Sequence, residues 1–179
     1  MLPPFTSEGL LPPGDYPLTL DELKKSALVV GPDGHPGWDH AWRSQLVDNL
    51  GILVGHLWQV DIQEIFADGS FTQDKGHPGD IDIYFLCDIK EFVTGMLAYR
   101  LNIVSGNKRI WSWAPEDRKP DSSGKPQWPM WHRFHIDVWP HFGQTAGRDV
   151  YGNELQFPAY FRQTRDGKPR GIVKIERGS

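Results

Sequence analysis

The stretch Ile62-Gln-Glu-Ile65-Phe-Ala-Asp-Gly69-Ser70-Phe-Thr72-Gln-Asp-Lys75-Gly-His-Pro-Gly-Asp80-Ile-Asp82-Ile-Tyr-Phe-Leu86 decides the reading of this chain. An apolar run with Ile62, Ile65 and Ala67 opens it as a strand. A polar segment rich in Gly and Pro then turns the chain. The run Asp80-Ile-Asp-Ile-Tyr-Phe85 returns as a second strand, β-branched and aromatic with a period of two. Neighbouring strand residues face opposite ways, so Asp80 and Asp82 share one face and Ile81 and Ile83 the other. Two adjacent carboxylates repel each other and add nothing to a core. A divalent cation is the usual remedy.

Outward from this unit, the residues between Met1 and Pro17 hold five prolines and two glycines and read as an extended arm. Thr19-Leu-Asp-Glu22 fits a capping box, with a helix expected from Leu20 to Val29. Gly31 to Gly37 is a turn cluster. Trp42, Leu46, Leu50, Leu53 and Leu57 recur every three or four residues, which predicts an amphipathic helix over His40–Gln59 packed on the sheet. On the far side, Asp88 caps a helix expected over Ile89–Leu101, and short strands are expected at Ile103–Val104 and Arg109–Trp113. Residues 114–129 read as an exposed loop. Met130–Pro140, with Asp137 in an alternating run, reads as a strand. Residues 142–156 read as irregular, and the tail ends in a last strand after the Asp166-Gly167 turn.

The length of 179 residues suits one domain, expected over residues 18–179 after the arm at 1–17. Eight tryptophans and an ordinary apolar fraction point to a folded chain. The formal net charge of −4 does not mark a general nucleic-acid or membrane-surface binder. Cys87 is the single cysteine, so no internal disulfide forms, which suits a reducing compartment. No apolar run approaches the roughly 18 residues of a membrane span. The start lacks a basic region followed by an apolar stretch. A cytoplasmic protein is therefore expected. The fold class expected is α/β (α+β): a small mixed, largely antiparallel sheet flanked by helices.

Gly69-Ser70, nine residues, then Asp80-x-Asp82 inside an apolar strand resembles the signature of the DNA polymerase β-type nucleotidyltransferases, and in particular their short bacterial and phage relatives. The resemblance implies a nucleotidyltransferase-like fold and transfer of an NMP from an NTP, ATP among them, to a hydroxyl of a protein, RNA or small molecule. It implies Asp80, Asp82 and a third carboxylate, Asp137, as metal ligands and catalytic residues for two Mg²⁺ ions, with Mn²⁺ as a substitute. It further implies Gly69, Ser70, Thr72 and Lys75 as nucleotide contacts, Lys75 standing where better-known members carry an arginine. A partner protein from the same locus, as in toxin–antitoxin or phage-defence systems, is part of that implication. The chemistry is coherent. Charge develops on the leaving pyrophosphate, and hard cations held by oxygen ligands answer it. Backbone N–H groups near a glycine cradle phosphates. Asp74 beside a triphosphate is repulsive unless it points away.

Two other readings compete. His132-x-x-His135-x-Asp137, followed by His141, offers a transition-metal set for a zinc hydrolase. His135 and Asp137 would share a strand face, with His135 as a neighbour of the Asp137 carboxylate, while His132 faces away. The second is a catalytically inactive nucleotide-sensing or partner-binding protein that keeps the fold. Trp111, Trp113, Trp128, Trp131 and Trp139 read chiefly as core, with base stacking as the functional alternative. Arg162, Arg165, Lys168, Arg170 and Lys174 read chiefly as a solvated face, with an RNA groove as the alternative.

Overall fold

The computed structural model describes residues 2–32 and 35–178. Two residues of the expected turn cluster, Asp33 and Gly34, lie outside the described residues. In chain order the elements begin with β1 (Asp15–Thr19), α1 (Leu20–Lys25), α2 (Ala27–Val30) and α3 (His40–Gln59). Next come β2 (Ile65–Asp68), β3 (Ile81–Leu86), α4 (Ile89–Val93) and α5 (Met96–Val104). A small hairpin, β4 (Lys119–Pro120) and β5 (Pro126–Gln127), precedes α6 (Pro129–Phe134) and β6 (Ile136–His141). A second hairpin, β7 (Thr145–Arg148) and β8 (Glu154–Gln156), leads to α7 (Phe157–Tyr160) and β9 (Ile172–Glu176).

The main sheet has five strands in the order β1-β9-β2-β3-β6. It is mixed: β9, β2 and β3 run antiparallel in turn, while β1 joins β9 and β6 joins β3 in parallel. The two hairpins are antiparallel. The fold is therefore the expected mixture of helix and sheet.

Alternation sorts the sheet's two faces. Ile65, Ala67, Ile81, Ile83, Phe85, Ile136 and Val138 are buried in one cluster with Leu46, Leu50, Leu53, Val54 and Leu57 of α3. The other face carries Phe66, Tyr84 and Ile172, packed with Phe157 and Phe161 from the α7 region. The 3.6-residue stripe of α3 and the two-residue stripe of the strands thus meet, as their sequences require.

Several boundaries differ from the sequence expectations for local reasons. The helix expected over Leu20–Val29 is two, because Ser26 ends α1 and its hydroxyl caps α2. The helix expected over Ile89–Leu101 breaks at Gly95, whose φ of 75° is left-handed, and α5 then runs through Val104 in place of a strand. Residues 108–114 form no regular element. The arm enters the sheet as β1, and Leu10 and Leu11 are buried. Residues 142–156, expected as irregular, hold the β7–β8 hairpin; the Asp149 carboxylate closes its turn by accepting from the amides of Tyr151 and Asn153. Among the described residues no helix is long and apolar enough to cross a membrane.

Candidate functional site

Strand register sets three aspartates in a row. Asp68 ends β2 opposite Asp82 of β3, and Asp82 lies opposite Asp137 of β6. Registered residues on adjacent strands project from one face, with strands about 4.8 Å apart. Asp80, two residues before Asp82, joins them along a cleft of about 620 Å³. Gly69 and Ser70 line the same cleft, as do the cations Lys125, Arg148, Arg165 and Arg170 and an aromatic wall of Trp139, Phe157, Tyr160 and Phe161.

Crowding of like charge is visible in the acids. Asp82 is pushed well above the usual carboxylate range by burial and by the charges of Asp80, Asp137 and Asp68. Burial raises Asp137 to about 6, with Lys125 pulling down and Asp80 pushing up. Burial raises Asp68 to about 7 against the pull of Arg170. Asp137 is 4 % exposed, and its Oδ1 has no hydrogen-bond partner among the described residues. A buried carboxylate oxygen without a donor is costly unless something else meets it. A divalent cation fits that need. Among the described residues no three or more His, Cys, Asp or Glu side chains already close around one point as a metal cage. Mg²⁺ keeps several waters and takes only one or two carboxylates, so a shared face is sufficient for it.

Neighbouring elements hold the acids and the Gly-Ser turn. Trp131 of α6 donates its indole N–H to Asp80 Oδ2 at 2.8 Å. Asp68 accepts from Thr72 Oγ1 at 2.9 Å and is ion-paired with Arg170. Gly69 has a φ of 86°, and a Cβ there would collide with Asp82 Oδ2, so the position admits glycine alone. The loop beyond is pinned by Arg43, a fully buried residue of α3. Its guanidinium donates to the carbonyls of Leu28 at 2.6 Å, Phe71 at 2.8 Å, Gln73 at 3.1 Å and Lys75 at 2.5 Å, and lies 3.9 Å over the Trp38 ring. A charged residue inside the α3 apolar stripe is the sequence signal for this anchor; its significance is legible only with the loop in place.

The expected site residues divide accordingly. Asp80, Asp82, Asp137, Gly69 and Ser70 come together around the cleft. Thr72 is buried and turned onto Asp68 and the Gly69 carbonyl, so it supports the site from behind instead of facing the cleft. Lys75 is exposed and does not line the cleft, because Arg43 draws its backbone toward α3. Asp74 points away and pairs with His35 at 3.0 Å.

The histidine set does not assemble. Met130–Phe134 belongs to α6, with Pro129 in its first turn, and His135 caps it in the left-handed region at φ 53°. His135 packs against Trp42 and Trp131. His132 Nε2 instead lies 2.9 Å from the Lys119 carbonyl. The cleft cations missed by local reading are Lys125, which the β4–β5 hairpin brings to the acids, and Arg148; Arg165 and Arg170, read chiefly as part of a solvated face, also line the cleft. Of the tail basics, Arg162, Lys168, Arg170 and Lys174 all stand in ion pairs with acids of this chain.

A family model, described as a family of unknown function (DUF6932), matches residues 3–176, and the chain belongs to that family. No curated protein matches the chain, and no solved structure does.

Proposed function

We propose that this chain is a divalent-metal-dependent nucleotidyltransferase that moves an NMP from an NTP to a hydroxyl. The observation that carries the reading is the registered row of Asp82 and Asp137 beside Asp80. It opens on the cleft next to Gly69-Ser70, with Asp137 Oδ1 left without a donor. Asp80, Asp82 and Asp137 would hold Mg²⁺. When bound, the ion supplies positive charge to the phosphate oxygens that gain negative charge during displacement.

The reaction forms a bond between the acceptor oxygen and the α-phosphorus and breaks the bond from that phosphorus to the bridging oxygen of pyrophosphate. Asp137, buried in register with Asp82, takes the hydroxyl proton. Gly69 lets backbone approach the phosphates closely. Ser70 lines the cleft, where its hydroxyl offers them a donor. Trp131 fixes the Asp80 carboxylate in place.

Incubation of the protein with each labelled NTP, Mg²⁺ and a lysate tests the reading. Label transfer that depends on Asp82 is expected. If no NTP gives transfer while Asp82→Asn changes nothing the protein binds, a catalytically inactive partner-binding role replaces it.

A further inference from the structure

Six of the ten exposed large apolar side chains among the described residues fall in one short stretch of chain: Leu86, Ile89, Val93, Met96, Tyr99 and Ile103. Scattered apolar side chains on a surface need no explanation, but a cluster does. Ile89 and Val93 are four apart on α4, while Tyr99 and Ile103 follow Met96 by three and seven on α5, so each set shares one helix face. Gly95 joins the two helices through its left-handed turn, and residues 93–96 are exposed at that corner. The other face of α5 is already covered, with Leu97 and Leu101 fully buried in the core. The six exposed fractions amount to on the order of 600 Å² of surface, against the roughly 800 Å² that each partner buries in a standard interface. None of the six lines the acidic cleft.

The two ends of this stripe differ. At the α4 end Asp88 and Glu91 flank Ile89, and exposed Asp61 stands 3.7 Å from Arg100. Lys90 and Arg100, the latter paired with Glu91 at 2.8 Å, leave this end with an excess of one acid. At the α5 end stand exposed Lys108, Arg109 and Arg133. Lys108 and Arg133 rim a hollow of about 130 Å³ with apolar walls of Ile52, Ile110 and Phe134. The polar groups inside it are engaged: His56 Nδ1 accepts from the Trp111 indole at 3.2 Å, and Ser105 Oγ donates to the Asn102 carbonyl at 2.9 Å. Such a hollow suits an apolar side chain with an acid beside it, and Ile89 between Asp88 and Glu91 is one. A partner of uniform charge would meet like charge at one end of the stripe. A second copy turned through 180° meets unlike charge at both. The spacing serves the same symmetry, since Ile89 and Ile103 are equally far from Met96 in sequence, as are Val93 and Tyr99.

We infer that this face is the two-fold interface of a homodimer, in which the α4–α5 stripe of one copy packs antiparallel on that of the other, with Met96 at the axis and Ile89 of each copy meeting Ile103 and the neighbouring hollow of its mate. The inference uses no residue of the acidic cleft and does not depend on the nucleotidyl-transfer reading.

The test is sedimentation equilibrium of the full chain across micromolar concentrations. Wild type is expected to form a concentration-dependent dimer. Val93→Glu and Tyr99→Glu, both at exposed positions, are expected to raise its dissociation constant at least about tenfold with the circular dichroism spectrum unchanged. Lys108→Glu, which places like charge at both contacts, is expected to raise it about threefold, with the gap from wild type narrowing as salt is added. Cross-linking reads the symmetry without the glutamate variants, on a Cys87→Ala background with one new cysteine at a time. Met96→Cys is expected to link to itself on oxidation. Ile103→Cys is expected to link to Ile89→Cys in a mixture and little to itself. A monomer at every concentration overturns the inference and leaves the face to a different protein. A dimer whose dissociation constant neither glutamate variant changes overturns it too, as does Ile103→Cys linking to itself more readily than to Ile89→Cys.

Discussion

Adjacent residues of β3 belong to opposite worlds. Ile81, Ile83 and Phe85 are fully buried against α3, where every methyl group removed from water stabilises the fold. Asp80 and Asp82 turn the other way, into a row of carboxylates where burial first, and then the neighbouring charges, push Asp82 well above the usual carboxylate range. The first face accounts for why the chain folds. The second works against folding in the free chain, a cost that the proposed cation would offset. Trp131, Thr72 and the Arg43-anchored backbone hold these residues in place despite that cost, which supports the proposed binding and chemistry.

This contrast can be broken from either side. The largest effect is expected for Asp82→Asn, which should cut transfer by at least about 10²-fold while raising the melting temperature of the metal-free protein by roughly 2–4 °C. A mutant that loses activity by unfolding would erase the distinction between the faces. Arg43→Met should destabilise by about 3 kcal/mol or more, since several buried carbonyls lose their donor. That corresponds to a fall of roughly 6–12 °C by calorimetry. Ile83→Ala, one residue from Asp82, should cost about 2–5 kcal/mol in denaturant unfolding. Opposite signs at positions 82 and 83 are the sharpest form of the comparison.

The pH dependence follows from the same acids. Asp68 and Asp137 bind protons more tightly folded, to about 7 and about 6, than unfolded, near the ordinary carboxylate value. The unfolded chain therefore releases its protons first as pH rises, so this contribution to stability is full below about pH 4 and lost by about pH 7. His56 and His141, both lowered by burial, act in the opposite sense as the histidines lose their protons. The difference between melting temperatures with and without Mg²⁺ isolates the acids. It should widen from pH 5 to pH 8 in wild type and stay flat in Asp82→Asn. The smallest effect is expected for Trp131→Phe, which removes the N–H to Asp80 but keeps the ring. A several-fold fall in kcat, with the melting temperature within a few degrees, would separate positioning from packing.

Much of this was legible before any coordinates. The β2–β3 unit shows in sequence because one face is apolar, which fixes the period of two and puts Asp80 and Asp82 together. The α3 stripe is legible for the same reason at a period of 3.6. The alternating run shows Asp137 but not where its strand begins: α6 is too short to display helical periodicity, and His132 to Asp137 imitates a strand. The resemblance implies Lys75 as a stand-in for an arginine that contacts phosphate, whereas the loop's path is set by Arg43, some thirty residues earlier. Lys125 and Arg170 could not be placed because hairpin and sheet pairings far from Gly69 bring them to the cleft. The β7–β8 hairpin was hidden by weak alternation, with Gly147 packed against Tyr160 where a strand would ordinarily show a side chain.

The most direct measurement is the binding of Mn²⁺ to wild type, Asp82→Asn and Asp137→Asn, followed by paramagnetic resonance or calorimetry. Saturable binding by wild type that is lost in both variants, each still folded, is the expected result. No saturable binding by wild type at millimolar Mn²⁺, or binding unchanged in the two variants, would contradict a metal-holding role for the aspartate row.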